Sequence, residues 1–249
     1  MNPQSNFSEE TQARIDLTCA LRSASRMGLG EGICNHFSLA LPGHPGHFLI
    51  NPQGFHWSEI TPADLVVVDA QGRKVSGKHS VEPTAFFIHS AIHRGNPHAA
   101  CVMHTHMPYA TALTAVQDGR IAWSSQTSLK FRNRVAYDDN YQGLALDDAE
   151  GERMCKAMGD ADVLFLGNHG IIVCGPTVSA TFDDLYYLER ACMQQVLAMS
   201  TGKPLRLVPD DIAEKTARQM AGESQQAALH LEALKRILDR DEPGWSKLD

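Results

Sequence analysis

The sequence predicts a layered α/β or α+β domain with a mixed sheet, because short strands come first in a run and then alternate with helices. Helical spacing of apolar residues predicts helices at residues 9–27, 83–94, 108–117 and 178–201, followed by a polar helix or helix pair at 210–240. Short apolar runs bounded by turn residues predict strands at 36–41, 47–50, 65–68, 99–103, 163–166 and 170–173.

The predicted boundaries rest on residues that begin or end regular structure. Gly28 and Gly30 end the first helix, since glycine adopts the backbone conformation of a helix C-terminus without strain. Pro83 suits the first turn of the second helix, where its missing N–H is not needed. The dipeptides Pro42-Gly43 and Asn51-Pro52 stop the first two strands.

The composition excludes several classes of function. A formal net charge of −7 and a pI near 5.9 argue against nucleic-acid binding and against attraction to an anionic membrane. No apolar run approaches the roughly 20 residues that span a bilayer, and residues 1–10 lack the basic start and apolar stretch of a signal peptide. The six cysteines form no CxxC pair and read as small buried apolar residues in a reducing compartment. We therefore expect a cytoplasmic protein with a small-molecule substrate.

The segment His104-Thr105-His106 is the sharpest local motif. Residues i and i+2 of a strand point to the same face, so the two imidazoles would lie side by side and could bind a divalent transition metal. Taken alone, an HxH motif is more often a pair of buried, hydrogen-bonded histidines.

A third histidine strengthens the metal interpretation. His169 lies in a tight turn, Gly167-Asn168-His169-Gly170, between two predicted strands, where rigid neighbours would hold it. The alternative is an exposed His169 in a turn made by Asn168 and Gly170. Three protein ligands leave one coordination position open for substrate, which is the pattern of a catalytic metal site.

Several motifs together resemble the class II aldolase/adducin superfamily, whose enzymes include fuculose-phosphate and ribulose-phosphate aldolases. They are residues 33–38 (ICNHFS), 49–54 (LINPQG), 64–69 (DLVVVD), 102–111 (VMHTHMPYAT), 166–170 (LGNHG) and 187–192 (YLERAC), the last resembling the adducin-type branch. The resemblance covers residues 10–203 as one domain and leaves 204–249 as a C-terminal helical extension. It implies a three-layer αβα fold around a mixed, largely antiparallel sheet, and a homotetramer.

The resemblance also implies a set of site residues. His104, His106 and His169 match the family's metal ligands, with zinc expected and manganese or iron as alternatives. Glu82 is the candidate acid/base carboxylate, although a gap-free match places Ala85 at the glutamate position. Glu82 could instead serve only as a favourable charge at the start of a helix. The predicted substrate-binding residues are Asn35, Ser38, Gln53, Gly54 and Ser80.

The chain departs from the sugar-phosphate aldolases at the phosphate site. Of the paired serines in those enzymes only Ser80 is clear, so a carboxylated substrate, with an aromatic acid as one option, is favoured over a phosphosugar. Lys130, Arg132 and Arg134 could bind a carboxylate, or could simply be solvated or paired with acids. His89 and His93 share a helix face and form a weaker second candidate for a metal site.

The predicted function is a metal-dependent carbon–carbon lyase, either an aldolase or a decarboxylase. Both reactions leave an enolate-like anion whose charge a metal can offset. Two alternatives stay open: an iron-dependent oxidative decarboxylase, and a non-catalytic interaction module of the adducin type.

Overall fold

A computed structural model describes residues 7–144 and 147–248 of the chain. The strands are β1 (His36–Ala40), β2 (His47–Ile50), β3 (Val66–Asp69), β4 (Lys74–Ser76), β5 (Cys101–Thr105), β6 (Val135–Asp138), β7 (Val163–Leu166) and β8 (Gly170–Gly175). The helices are α1 (Glu9–Arg26), α2 (Pro83–Gly95), α3 (Pro108–Thr114), α4 (Gln126–Leu129), α5 (Asp148–Met158), α6 (Val178–Met199), α7 (Asp210–Ala221) and α8 (Ser224–Asp241). A single 3-10 turn at Pro62–Asp64 precedes β3.

All of these strands belong to one eight-stranded sheet in the order β4-β3-β2-β1-β5-β8-β7-β6. Every neighbouring pair is antiparallel except β6 and β7, which run parallel. The prediction of a mixed, largely antiparallel sheet is therefore confirmed.

Helices cover both faces of the sheet, because alternate side chains of each central strand point to opposite sides. On one face Phe37 and Met103 pack with apolar residues of α1 and α6. On the other face Val102 and Ile172 pack with α2 and α5. This arrangement confirms the predicted three layers. It places β5 and β8 at the centre of the sheet, where both faces of each strand are buried.

Four elements (β4, β6, α4 and α5) were not predicted, and the reason is identifiable for two of them. The edge strand β4 is fully exposed and carries no apolar alternation that would mark a strand. In α5, Gly151 would ordinarily suggest a helix breaker. The structure needs it, however, because a Cβ at Gly151 would lie 2.2 Å from the carbonyl oxygen of Phe87 on α2.

The longest helix, α6, contributes both apolar and charged buried residues. Phe182, Leu185 and Leu188 face the sheet, while Asp183 and Glu189 are also buried. The buried carboxylates distinguish α6 from an apolar membrane-spanning helix and are consistent with a helix in the core of a layered domain. No helix within residues 7–144 and 147–248 is both long and apolar enough to cross a membrane.

The last helix, α8, packs against the layer formed by α1 and α6. Leu234 and Leu238 of α8 are buried in the same apolar core as α1. Ion pairs reinforce the contact: Arg22 bonds Glu242 at 2.6 Å, and Lys235 bonds Asp16 at 2.7 Å. The division of the chain at residues 203 and 204 stays a prediction.

Candidate metal centre

Three histidines converge at one end of the central strands. His104 is in β5, His106 follows the end of β5, and His169 lies in the turn between β7 and β8. Their ring centroids are 4.9 to 5.1 Å apart. One ring nitrogen from each lies within 4.8 Å of the other two, so the triad could hold a metal ion.

The local backbone explains why these side chains meet. Pairing of β5 with β8 sets His104 opposite Ile172 and Thr105 opposite Ile171, which brings the β7–β8 turn beside His106. Asn168 has a φ of 55°, a left-handed conformation that asparagine tolerates better than most residues. Gly170 lies so close that an added Cβ would be 2.6 Å from Cδ2 of His106 and 2.8 Å from the Thr105 carbonyl oxygen.

Substitution Gly170→Ala is therefore expected to displace the His106 ring or the end of β5. We expect the free energy of unfolding to fall by about 1–3 kcal/mol, as for other overpacked positions. Urea unfolding of the metal-free protein measures the change. Gly222→Ala is the matched control, because a Cβ there would meet its nearest neighbour, the Gln219 carbonyl oxygen, at a tolerable 3.4 Å. Equal stability of the two variants would contradict the prediction.

Hydrogen bonds fix the tautomers of two of the three histidines. Nδ1 of His104 lies 3.0 Å from the Ile171 carbonyl oxygen, and Nδ1 of His106 lies 2.5 Å from Oε2 of Glu31. Since a carbonyl or a carboxylate oxygen only accepts, both Nδ1 atoms carry the proton. Each Nε2 is then a bare lone pair, and Nε2 of His106 is buried with no hydrogen-bond partner among the described residues. The unpartnered Nε2 of His106, in a cluster with two further imidazoles, is a suitable ligand for a divalent metal.

His104 and His169 are also held in the neutral form that binds metal. Burial, followed by the proximity of His169, lowers the pKa of His104 well below its usual range. Burial and then His106 lower the pKa of His169 to about 4. At neutral pH these imidazoles are uncharged, as metal coordination requires.

Comparison with known proteins identifies the family. The family model "Class II Aldolase and Adducin N-terminal domain" matches residues 15–196. The chain belongs to the class II aldolase/adducin family. A crystal structure of an aldolase II superfamily protein from Pseudomonas syringae has a TM-score of 0.89 and 36% identity, covering 96% of this chain and 97% of that one.

Two relatives in the family have names that state a reaction. Decarboxylase NovR of Streptomyces niveus is 32% identical over 226 residues, covering 88% of this chain and 83% of the relative. The 4-hydroxy-3-prenylphenylpyruvate oxygenase/4-hydroxy-3-prenylbenzoate synthase of Streptomyces roseochromogenus is 32% identical over 203 residues, covering 81% and 73%. Both names describe those proteins.

In the present chain, Glu82 lies at the N-terminus of α2. Its carboxylate accepts a hydrogen bond from the Ala85 backbone N–H at 3.3 Å, the helix-capping role considered as its alternative. Oε2 of Glu82 is also 3.5 Å from Nε2 of His36. His36 pairs directly with His104 across the β1–β5 ladder, which connects Glu82 to the triad through one buried side chain. Its role as acid/base stays a prediction.

His36 was not singled out in the sequence, although a signal was present. In strand β1, His36 and Ser38 alternate with the core residues Phe37 and Leu39, so they share the opposite face. Burial lowers the pKa of His36 to about 4, opposed in part by the Glu82 carboxylate.

Asn35 joins the loop before β1 to the triad. Its Oδ1 accepts from the backbone N–H of Glu31 at 2.8 Å and of His106 at 3.3 Å. Its Nδ2 is buried with no hydrogen-bond partner among the described residues. Such a donor could bind a substrate oxygen, the role predicted for Asn35.

The other predicted substrate residues divide into two groups. Gln53 and Ser80 are exposed and adjacent, since the Gln53 backbone N–H donates to the Ser80 carbonyl oxygen at 2.8 Å. Gly54 turns the chain beside them with a φ of 81°. Ser80 lies two residues before Glu82 in the chain, and the substrate contacts of all three residues stay predictions.

Ser38 is placed differently. It is fully buried, and its hydroxyl lies 2.6 Å from Nδ1 of His89 and 2.8 Å from Nε2 of His93. Nδ1 of His93 donates to the Ala99 carbonyl oxygen at 2.8 Å. The hydroxyl therefore donates to His93 and accepts from His89, and its contact with substrate stays a prediction. Both ring nitrogens of His93 are hydrogen-bonded, which disfavours the weaker metal site predicted for His89 and His93, although Nε2 of His89 is buried with no hydrogen-bond partner among the described residues.

The basic cluster Lys130, Arg132 and Arg134 is paired with acids rather than open to substrate. Lys130 contacts Asp183 and Asp184, and Arg134 bonds Asp184 at 2.5 Å and Asp162 at 2.6 Å. Arg132 bonds Asp210 and Glu214 of α7, both at 3.2 Å. Arg134 and Asp162 also precede β6 and β7, at the end of the sheet away from His169. Their pairing favours a structural role.

Proposed function

We propose that this chain is a divalent-metal-dependent carbon–carbon lyase, an aldolase or a decarboxylase acting on a small substrate. The observation that carries the proposal is the convergence of three histidines, one of them with a buried Nε2 that has no hydrogen-bond partner among the described residues. Burying a polar atom without a partner costs free energy, and a bound metal would supply the missing partner of this Nε2. Three protein ligands also leave coordination positions open.

His104, His106 and His169 would hold the metal, and zinc is the proposed ion, with manganese or iron as alternatives. When bound, the metal would act as a Lewis acid that offsets the negative charge left on a substrate when a carbon–carbon bond breaks beside a carbonyl.

The chain's own side chains would orient the substrate and move a proton. Asn35 presents a buried amide donor, Nδ2, beside His106, suited to a substrate oxygen. Glu82, at 3.5 Å from His36, is the proposed acid/base carboxylate, and His36 would hold it towards the triad. The proposed assembly is a homotetramer, as the resemblance implies.

The proposed substrate is a carboxylated compound rather than a sugar phosphate. Only Ser80 of the phosphate-binding serine pair is present, and the hydroxyl of Ser38 is engaged by two histidines. The relative named as a decarboxylase supports a substrate of this class.

A second candidate is an iron-dependent oxidative decarboxylase. The relative whose name includes an oxygenase favours it. His104, His106 and His169 would hold the iron, which would supply oxidative chemistry when bound.

Metal content tests the proposal. Protein purified without chelators is expected to carry about one zinc, manganese or iron per chain, and His104→Ala/His106→Ala is expected to lose it. The matched control is His44→Ala/His47→Ala, which removes two neighbouring histidines, 6.3 Å apart, from the β1–β2 turn. Zinc would favour retro-aldol cleavage, manganese decarboxylation and iron oxidation. Folded protein without metal, in the parent and in both variants, would overturn the enzyme proposal and leave an interaction module.

A further inference from the structure

The segment between α1 and β1, residues 28–35, is fastened to the metal-ligand end of β5 at three points. The hydroxyl of Thr105, between the two histidines, donates to the Leu29 carbonyl oxygen. Oδ1 of Asn35 accepts from the backbone N–H of His106 at 3.3 Å. Oε2 of Glu31 accepts from Nδ1 of the His106 ring at 2.5 Å. Residues 28–35 therefore hydrogen-bond both the backbone and the ring of His106.

The segment itself has little freedom to shift. Leu29 is buried, and a Cβ added at Gly30 would lie 2.9 Å from the ring of Trp57. The Glu31 backbone N–H donates to Oδ1 of Asn35 at 2.8 Å, which closes the segment on itself. The Glu31 side chain is 68% exposed, and its carboxylate lies on His106.

The two strand-end ligands are thus held in unlike ways. His104 relies on a backbone carbonyl within the sheet, which no side-chain change removes. His106 relies on one carboxylate from a loop, which a single substitution removes. Without that acceptor, the ring could carry its proton on Nε2, the atom that faces the other two histidines, and an Nε2–H cannot bind a metal.

We propose that Glu31 is a positioning residue that fixes the proton of His106 on Nδ1 and aims its bare Nε2 at the metal, so that this loop carboxylate sets metal affinity. The proposal rests on the metal-dependent function proposed above. A carboxylate that accepts from a ligating histidine orients the ring and makes it a better ligand, and its loss typically weakens metal affinity 10–100-fold.

Zinc affinity of chelator-stripped protein, measured by competition with a chromophoric chelator, provides the test. Glu31→Ala is expected to bind zinc about 10–100-fold more weakly than the parent. Glu31→Gln keeps an oxygen acceptor without the charge, so its affinity is expected to lie between the two. Since Glu31 is exposed, neither change removes core packing, and unfolding midpoints are expected to match the parent.

The matched control is Glu59→Ala, which removes another exposed glutamate that accepts a hydrogen bond, from the His56 backbone N–H at 2.8 Å. In metal-free protein, ¹⁵N NMR of the imidazole rings gives a second readout. The His106 ring is expected to be the Nδ1–H form in the parent and to shift towards Nε2–H in Glu31→Ala.

The outcomes separate the two proposals. Tight zinc binding by the parent with equal affinities for Glu31→Ala and Glu59→Ala would overturn the role of Glu31 alone. Zinc binding by the parent no tighter than by His104→Ala/His106→Ala would overturn the proposed function, and the metal role of Glu31 with it.

Discussion

The metal-free protein is expected to lose stability steeply as the pH falls from about 6.5 to about 4. Burial lowers the pKa values of His36, His93 and His169 from 6.5 to about 4. Between these pH values the histidines bind protons in the unfolded chain but stay neutral in the folded chain. The free energy of unfolding therefore falls as the pH falls. Each such shift corresponds to roughly 3 kcal/mol at most, and the total would exceed the stability margin of many domains.

Urea unfolding of chelator-stripped protein at several pH values between 7.5 and 4.5 measures this dependence. His93→Asn removes one of the titrating groups from the Ser38–His89–His93 cluster, so its unfolding free energy should fall less steeply with acidification than that of the parent. His98→Asn, at an exposed histidine, is the control and should keep the parent slope. A parent free energy that stays flat down to pH 4.5 would contradict the expectation.

Substitution Glu189→Ala is expected to cost about 2–6 kcal/mol in the free energy of unfolding. The buried carboxylate of Glu189 on α6 accepts from the backbone N–H groups of Tyr109 and Ala110, both at 2.9 Å. These are free N–H groups of the first turn of α3, and leaving each buried without a partner costs about 1–3 kcal/mol. Burial raises the pKa of Glu189, which its two donors oppose only in part.

Chemical denaturation of Glu189→Ala beside Glu152→Ala, an exposed glutamate on α5, separates this effect from loss of charge alone. Because α3 begins at Pro108, two residues after His106, we also expect weaker zinc binding in the Glu189 variant. A loss of less than 1 kcal/mol would show that α3 finds other acceptors.

The parts of the fold that the sequence predicts are those with strong local signals. The periodicity of residues 178–201 predicts α6, which ends two residues earlier, at Met199. The turn residues Asn168 and Gly170 predict the β7–β8 hairpin that presents His169. The spacing of His104 and His106 places them together, although β5 ends at Thr105 and His106 lies just beyond it.

The parts that the sequence does not predict depend on which distant segments pair. His36 reaches the triad only because β1 pairs with β5 in a register that sets it opposite His104. Glu31 reaches His106 across 75 residues of sequence. Lys130 and Arg134 each pair with an aspartate on α6, some 50 residues away, so the sequence alone could not distinguish these paired basic residues from a substrate site.

The central position of β5 links the ligand set to the order of folding. Its two neighbours, β1 and β8, come from opposite sides of it in the chain, and the three histidines meet only after the long-range pairing of β5 with β8 has formed. Such non-local pairings are slow and form late. A metal ion would therefore find its three ligands only in a chain in which β5 and β8 are already paired. The metal would bind the folded protein and stabilise it by mass action, but it would not direct the earlier steps of folding.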